Sequence, residues 1–584
     1  MPSRFLSLII LLLCSVTASA QTTLTSGKLE VTFTPQQGMT QVQLDGRTVM
    51  TGSSTHFAGS LFTLLRNTPT RDWNWPDRRD TPHYAPSIGR LVDKVGHWKK
   101  PKIRVIESAA GRYAVEHRFE QGLNVTFDHE LDGPDITLTI RIDNQSQDTF
   151  QLDDWLLYFL KPQGPAKITH SMGSYYPAGD NYSPVTTVSD RHWGLGINWI
   201  KHDLRPIEIL LNHRSSYSDY QLECWLKNSP IPAGSTRSYT MVFRVDRTPG
   251  DWKHLLEPYQ KWFSNYFGPA QYSTDFRVKA GVFCASVENV SPSNPLGFYG
   301  QLDRQGWLPF LKKRVGHLRQ YNTGQVIIWA ATGISPRGVN YRPDFDVLPQ
   351  NMTDGMDQLA PFFAALGQKR FGFFARPNTI AYQKTVIEDD DVSFNPLDIK
   401  HVRMADRRYE HLKEIGATAF YMDTYGADWG CFPDSAKASV YYLKHLREKM
   451  GPDILLATEF GFDAMSVYAS IWPIMQDKDG HRPYGEFARW LVPGSVSFCR
   501  VMNVKGAQRA WEQGGVPMVN DFMVNAELMQ LQSRYVNPDG SSKVRTDCQS
   551  PKRNVAVEPV LISPSAQTKT GPDKKPSPVE SLFR

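Results

Sequence analysis

The chain has 584 residues, long enough for two to four domains at roughly 100–200 residues each. Hydrophobic residues make up 40% and charged residues 21%, which excludes a wholly disordered or collagen-like chain. Five of the basic excess of six sit at the ends: residues 543–584 hold eight Lys or Arg against four Asp or Glu, and Arg4 adds one more. The body between them is nearly neutral and gives no electrostatic reason to expect a nucleic-acid partner.

The first twenty residues read as a secretory leader. Arg4 supplies the positive start, Phe5–Leu13 is almost wholly apolar, and Ala18-Ser19-Ala20 is a small-x-small cleavage site. Cleavage after Ala20 would leave a secreted or periplasmic protein. Cys14 follows Leu13, not the small residue a lipid-attachment signal needs. The apolar run falls far short of the roughly 20 residues that span a bilayer, and no other stretch suggests a membrane span. The five remaining cysteines lie far apart with no Cys-x-x-Cys pair, which argues against a zinc ribbon or a thioredoxin-like redox site. Cys284 and Cys499 sit inside apolar runs and read as core residues.

From 21 to 248 the chain alternates with period two, as in Lys28–Thr34, Ile136–Ile142 and Ser238–Val245. Asp45-Gly46, Asp132-Gly133-Pro134 and Pro232-Ala-Gly234 punctuate the runs as turns. This pattern predicts a large antiparallel β-sandwich. Residues 249–269 switch period. Trp252, Leu255, Leu256, Tyr259, Trp262 and Phe263 recur every three or four residues and predict an amphipathic linker helix.

Strand and helix signals alternate over 270–536. Apolar runs are read at 278–284, 325–330, 370–375, 418–423, 453–459, 469–473, 496–500 and 517–521. Helices are read between them at 302–320, 355–367, 397–415, 435–449 and 506–513, with a last one expected within 522–536. Eight such strands match the count and span of a (β/α)8 barrel. An open doubly wound sheet fits less well, because no Gly-x-Gly-x-x-Gly follows any run. Residues 537–584, rich in Ser, Pro, Lys and Thr, read as a disordered basic tail.

Barrel active sites lie at the C-terminal ends of the strands. The second run ends at Trp329, the third at Arg376 with Asn378 beyond, the fourth at Asp423 and the fifth at Glu459. The sixth ends near Trp472, the seventh at Arg500 and the eighth at Asp521. Aromatics, carboxylates and single Arg or Asn groups suit a sugar site, where rings stack on pyranose faces and polar groups fix hydroxyls. Tyr425, just past Asp423, joins Trp329, Arg376, Asn378, Trp472, Arg500 and Asp521 as a candidate substrate-binding residue. Asp423 and Glu459 end neighbouring strands, so both should project into one cleft. Glycoside hydrolysis needs two carboxyls flanking the scissile bond, one ionised and one protonated. Asp423 lies among polar groups in Tyr421-Met-Asp-Thr-Tyr-Gly426, whereas Glu459 follows Leu-Leu-Ala-Thr. An apolar surround raises a carboxyl pKa, which suits Glu459 to the acid/base role and Asp423 to the nucleophile.

A leader, a large sandwich, a linker helix and a barrel with Asp ending the fourth strand and Glu the fifth resemble the retaining α-glycosidases that carry a galactose-mutarotase-like sandwich. The gap of thirty-six residues between Asp423 and Glu459 is short, which is most similar to glycoside hydrolase families 101 and 129, the endo-α-N-acetylgalactosaminidase group. The α-galactosidases and α-glucosidases are more distant, their acid/base coming later in the chain. The resemblance implies a retaining hydrolase of an α-linked oligosaccharide or polysaccharide, with Asp423 at the nucleophile position, Glu459 at the acid/base position and no cofactor.

Other candidates are weaker. Asp344 and Asp346 follow the second strand and read as surface loop more readily than as sugar ligands. Glu388-Asp-Asp-Asp391 lacks the spaced ligands and Gly of a calcium loop. Trp73 and Trp75 could reach a sugar or clasp a loop. No His-Glu-x-x-His favours zinc and no Gly-x-Ser-x-Gly favours an esterase, so no metal is expected. A non-catalytic carbohydrate-binding protein on the same scaffold, a polysaccharide lyase and a structural surface protein are the alternative readings. Strand–helix alternation after 276 argues against the lyase, whose helical domain is a toroid.

Overall fold

The computed structural model describes residues 21–543 outside a set of segments, the longest being 53–60, 67–100, 172–180, 315–324, 334–353, 382–390, 426–434 and 476–483. The leader at 1–20, Trp73, Trp75, Asp344, Asp346, Glu388–Asp390 and the tail beyond 543 lie outside the described residues. The chain divides into two compact units, the first running to Tyr266 and the second beginning at Phe267.

The first unit is built from two antiparallel sheets. One runs through 22–26, 29–34, 38–44, 47–52, 150–162, 220–231 and 207–213, with 61–66 also on 150–162. The other runs through 167–171, 185–189, 194–201, 236–246, 135–144, 123–132, 112–118 and 102–109. Alternation dictates which side chains enter the core. Along Leu123–Asp132 and Asp135–Asn144 every second residue is buried, and register brings Val125 opposite Ile142, Phe127 opposite Ile140 and His129 opposite Leu138. The apolar ones among these join Val31, Phe33 and Val42 of the first sheet in one cluster, the core of a β-sandwich.

The period change at 249 produces helix as expected, in two pieces, Trp252–Leu255 and Glu257–Phe267. The break has a local cause. Pro258 has no N–H to give the His254 carbonyl one turn back. Arg244 donates to that carbonyl instead at 3.1 Å, while its guanidinium grips Asp135 at 2.7 and 2.8 Å and Glu257 at 2.7 Å. Gly196 is needed beside the first piece, since a Cβ there would lie 2.1 Å from the Leu255 carbonyl oxygen.

In the second unit the strands are β1 (Gly281–Ala285), β2 (Gln325–Trp329), β3 (Arg370–Ala375), β4 (Ala419–Met422), β5 (Leu455–Thr458), β6 (Ser470–Ile471), β7 (Ile474–Met475), β8 (Phe498–Val501) and β9 (Val516–Asn520). The helices are α1 (Trp307–Arg314), α2 (Leu359–Ala365), α3 (Ile399–Glu414), α4 (Ser435–Met450), α5 (Tyr484–Leu491), α6 (Val504–Glu512) and α7 (Ala526–Tyr535). The strands form one parallel sheet in the order β6-β5-β4-β3-β2-β1-β9-β8-β7. This alternation of parallel strands with helices is not the all-helical toroid of the lyase reading. The α7 helix falls inside the window read for a last helix, and Asn525 caps it by accepting from the Leu528 N–H at 2.9 Å. The sequence reading missed α5. It also missed a two-stranded ribbon, Thr379–Ala381 with Asp391–Ser393, which takes Asp391 out of the acidic run and pairs it with Ala381.

One face of the parallel sheet carries Ile327, Phe374, Ala419, Tyr421, Leu455, Ala457, Phe498, Val516 and Met518, which pack together with Tyr272. The other face meets helices. Phe371 stacks on Phe363 of α2 at 5.2 Å and Phe420 meets Tyr409 of α3 edge-on at 5.2 Å. Cys499 is buried, and burial pushes its thiol up to about 12, so it is an inert core residue. The Cys284 side chain lies outside the description.

Two sandwich histidines make the first unit acid-sensitive. Burial pushes His117 and His129 down to about 4, against the upward pull of bonds to the Pro35 and Tyr113 backbone. An unfolded-state imidazole titrates near 6.5, so the unfolded chain binds more protons between roughly pH 4 and 6.5. The stability these neutral rings contribute is therefore complete above about pH 6.5 and declines as pH falls toward about 4. His129 lies 4.7 Å from the Phe33 ring, and His129→Phe should shrink the loss of stability between pH 7 and 5 measured by denaturant unfolding.

Candidate active site

The chemistry gathers at the C-terminal ends of β4 and β5. Register pairs Ala419 with Leu455 and Tyr421 with Ala457. The ladder continues one step past both strands: the Glu459 N–H donates to the Met422 carbonyl at 3.1 Å, and the Asp423 N–H to the Ala375 carbonyl at 2.9 Å. Side chains two residues apart share a face. Asp423 therefore stands above Tyr421, and Glu459 above Ala457, level with each other on strands about 4.8 Å apart. Both carboxylates are withdrawn from bulk solvent, at 8% and 7% exposure, without being sealed off.

Beneath them lies an aromatic floor. The Tyr421 ring stacks on Trp329 at 5.5 Å and touches Phe374 at 5.7 Å, and Trp329 meets Phe374 at 4.5 Å. Arg500 of β8 lays its guanidinium over Trp329, 5.0 Å from the ring centre. The Arg500 Nε is buried without a hydrogen-bond partner among the described residues. Just past Trp329, Ala330 takes a left-handed φ of 54°, a conformation that costs a non-glycine residue and turns the chain sharply at the strand end.

The Tyr421 phenol joins these groups electrostatically. Burial, and then the charges of Glu459 and Asp423, push it well above its ordinary value, while Arg500 pulls the other way. It therefore keeps its proton across the ordinary pH range.

Of the residues read from sequence, Trp329, Asp423, Glu459 and Arg500 meet around Tyr421. Asp521 directly follows β9 and is buried, at 4% exposure. Arg376, Asn378 and Trp472 lie outside the described residues. Tyr425 is a correction. It is 2% exposed, its hydroxyl donates to the Ser439 carbonyl of α4, and its ring faces Tyr442 at 6.5 Å. The strand has ended before Tyr425, so alternation no longer aims its side chain. The residue anchors the chain after β4 to α4, buried against Tyr442. Sequence reading gave no role to Tyr421 or Phe374, although Tyr421 stands two residues before Asp423, and that spacing alone puts both on one face. Among the described residues no group of three or more His, Cys, Asp or Glu could hold a metal ion. Among the same residues no helix is long and apolar enough to cross a membrane.

No protein-family model and no curated protein matches the sequence. Among solved structures, the chain is similar to the α-N-acetylgalactosaminidase NagBb of Bifidobacterium bifidum. A quadruple mutant of NagBb aligns at 12% identity and a TM-score of 0.55, covering 88% of this chain and 93% of that one. Its GalNAc complex aligns at 13% identity and a TM-score of 0.52, with the same coverage of 88% and 93%. A GH36 α-galactosidase of Geobacillus stearothermophilus in complex with stachyose aligns at 9% identity and a TM-score of 0.45, covering 88% of this chain and 86% of that one. At such identities the likeness is one of fold, and it gives this chain an α-glycosidase-like fold.

The two tyrosines flanking Asp423 predict different losses. Tyr425→Phe removes one hydrogen bond to a backbone carbonyl and should cost about 1 kcal/mol of stability in denaturant unfolding. The affinity for any sugar ligand should be unchanged by calorimetry.

Proposed function

We propose that the protein is a retaining glycoside hydrolase of an α-linked sugar, with Asp423 as nucleophile and Glu459 as acid/base. The observation that carries this reading is the level placement of the two carboxylates on one face of adjacent parallel strands, fixed by the backbone bonds to Ala375 and Met422. The strand spacing of about 4.8 Å is compatible with the roughly 5–5.5 Å between carboxyls that retention requires. An Asp ending the fourth strand and a Glu ending the fifth is also the order that resembles families 101 and 129. NagBb acts on α-N-acetylgalactosaminides by its name, so an α-linked N-acetylgalactosamine is the proposed sugar.

The same reading takes the parallel sheet as a closed (β/α)8 barrel. Three observations support closure. First, β6 and β7 are separated by two residues, so they can be two halves of one strand. Second, β6 pairs with β5 while β7 pairs with β8, and β1 pairs with β9, so these two short neighbours in sequence stand at the two ends of the strand order. Third, the Ser470 hydroxyl of β6 accepts from the Phe498 N–H of β8 at 3.1 Å. In a closed barrel the face bearing Tyr421, Asp423 and Glu459 is the interior, and the carboxylates open at its C-terminal mouth. With the leader at 1–20 cut after Ala20, the enzyme would act in the periplasm or outside the cell.

In the first step an Asp423 carboxylate oxygen attacks the anomeric carbon, and Glu459 gives its proton to the departing glycosidic oxygen. A covalent glycosyl ester on Asp423 results. In the second step Glu459, now ionised, takes a proton from water as that water attacks the same carbon and Asp423 departs. Glu459 is protonated again, and the sugar leaves with its original anomeric configuration. Trp329 offers a flat apolar wall to the sugar face, and the open Arg500 Nε a donor to a sugar oxygen.

Aryl α-galactoside and aryl α-N-acetylgalactosaminide, with the first-formed anomer followed by NMR, test the reading. The α product is expected, and a β product would overturn retention. Glu459→Ala should lower turnover of poorly activated substrates by about 10²–10⁴-fold. Added azide should restore turnover of activated substrates by that variant and release α-glycosyl azide. Asp423→Ala should be inactive on both substrates, and full activity in either variant would remove the proposed roles.

A further inference from the structure

The end of β9 carries a polar residue that the sequence reading passed over. Val516 and Met518 lie in the apolar cluster on the face that bears Tyr421, so alternation puts Asn520, the last residue of β9, on that face too. Asn520 is half-buried, whereas Asp521, one residue further on, is fully buried. Register fixes where Asn520 stands relative to the carboxylates. From Met518 the pairings run one way through Gly281 and Gln325 to Arg370, two residues before Gly372. Gly372, Ala419 and Leu455 are paired in turn, so this line reaches β5 two residues before Leu455. The other way the pairings run through Arg500 to Ile474, four residues after Ser470. Ser470 pairs with Ala457, so with β6 and β7 as one strand this line reaches β5 four residues after Ala457. The two arrivals differ by eight residues, the stagger of a (β/α)8 barrel.

Shared among the strands, that stagger lifts the true level by one residue per strand above the line of pairing through β1 to β4. Asn520 pairs with Phe283, Phe283 with Ile327, Ile327 with Gly372 and Gly372 with Ala419. Two strands away, the level of Asn520 is two residues past Ile327, at Trp329. Four strands away, it is four residues past Ala419, at Asp423. Four strands are half the wall, so Asn520 faces Asp423 across the mouth, with Trp329 midway between them. Strands about 4.8 Å apart and tilted by about 36° set opposite walls about 15 Å apart. Two short side chains reaching inward leave roughly 8 Å between their tips, room for one pyranose ring.

We propose that Asn520 is a specificity-determining residue that hydrogen-bonds the O4 edge of the sugar whose anomeric carbon Asp423 attacks. The inference rests on the retaining site and the closed barrel of the proposed function. In a pyranose, C4 lies opposite C1 across the ring. A sugar with C1 at Asp423 and one face on Trp329 therefore turns its O4 edge toward Asn520. A carboxamide both donates and accepts, so it suits the O4 hydroxyl and its O3 neighbour together. It also adds no third charge to a place that already holds two carboxylates. The configuration at C4 separates galacto from gluco sugars, so a group that reads O4 is what an N-acetylgalactosamine site needs.

An aryl α-N-acetylgalactosaminide and its 4-deoxy analogue test this on the full chain. The natural protein should prefer the 4-hydroxyl substrate by roughly tenfold or more in kcat/KM. Asn520→Ala should cut that preference to less than about threefold by slowing the 4-hydroxyl substrate alone. Asn520→Leu, which keeps the side-chain volume, should do the same, and thermal unfolding checks that both variants fold. Equal losses on the two substrates, with the preference intact, would overturn the inference and make Asn520 a packing residue. Calorimetry with free N-acetylgalactosamine and its 4-deoxy analogue separates this claim from hydrolysis. If neither glycoside is cleaved, yet the 4-hydroxyl sugar binds more tightly and Asn520→Ala abolishes the difference, the inference stands and the proposed function fails. If the substrate is cleaved and the 4-deoxy analogue is cleaved equally well, this inference alone fails. If neither sugar binds and neither glycoside is cleaved, both fail.

Discussion

Two backbone hydrogen bonds carry the site: Asp423 N–H to the Ala375 carbonyl, and Glu459 N–H to the Met422 carbonyl. Each lies one residue past the end of its strand. Without them the chain would leave the sheet at Met422 and Thr458, and the two carboxylates would hang from unpaired loops. With them, each carboxylate inherits the rigidity of a parallel ladder and the shared level of a common register. Every other property of the cluster follows from that placement. The aromatic floor is simply the preceding layer of the same face, and Arg500 reaches it from β8 because parallel register keeps the layers aligned around the sheet. A site held to within a fraction of an ångström is better built on strands than on loops.

Close packing behind the site enforces that register. Gly372 of β3 stands opposite Ala419 of β4, and a Cβ at Gly372 would lie only 1.6 Å from the Ala419 carbonyl oxygen. The backbone approach that glycine permits brings β3 and β4 together directly below the point where Ala375 receives the Asp423 N–H. In the first unit a different device serves a similar end. Pro258 breaks the connector helix, and Arg244 fills the opening with a charged group that two carboxylates already hold. The ion pairs gain from their company: the Arg244 side chain is largely buried and bidentate to Asp135, the geometry in which such pairs are strongest.

Much of this was legible in the sequence, for identifiable reasons. Period two in the first half and strand–helix alternation in the second are both set by burial. Burial wrote the apolar pattern, so reading the pattern recovers the elements. Asp423 and Glu459 could be read because a charged residue ending an apolar run marks the strand end itself. Tyr425 could not be placed, since alternation aims side chains only while the ladder persists, and a residue beyond it answers to loop geometry. Its α4 partner, a backbone carbonyl at Ser439, carries no side-chain signal at all. Tyr421 was legible and overlooked: inside an apolar run a tyrosine passes as core, and only its two-residue offset from a carboxylate gives it away. The buried His129 has the same disguise, standing in the inward series Leu123, Val125, Phe127, Leu131.

The near-neutral body of the chain bears on substrate charge less than this cluster does. Net charge acts at long range and is screened within about 10 Å at moderate salt. The groups gathered at the ends of β4, β5 and β8 are two carboxylates, one guanidinium and one phenol that keeps its proton, in a partly desolvated place where each counts for more. Two adjacent carboxylates repel, and withdrawing them from water adds to the cost. A fold that keeps them level must therefore supply compensation at close range. Arg500 provides it as a positive charge over the Trp329 ring, on the same face of the sheet.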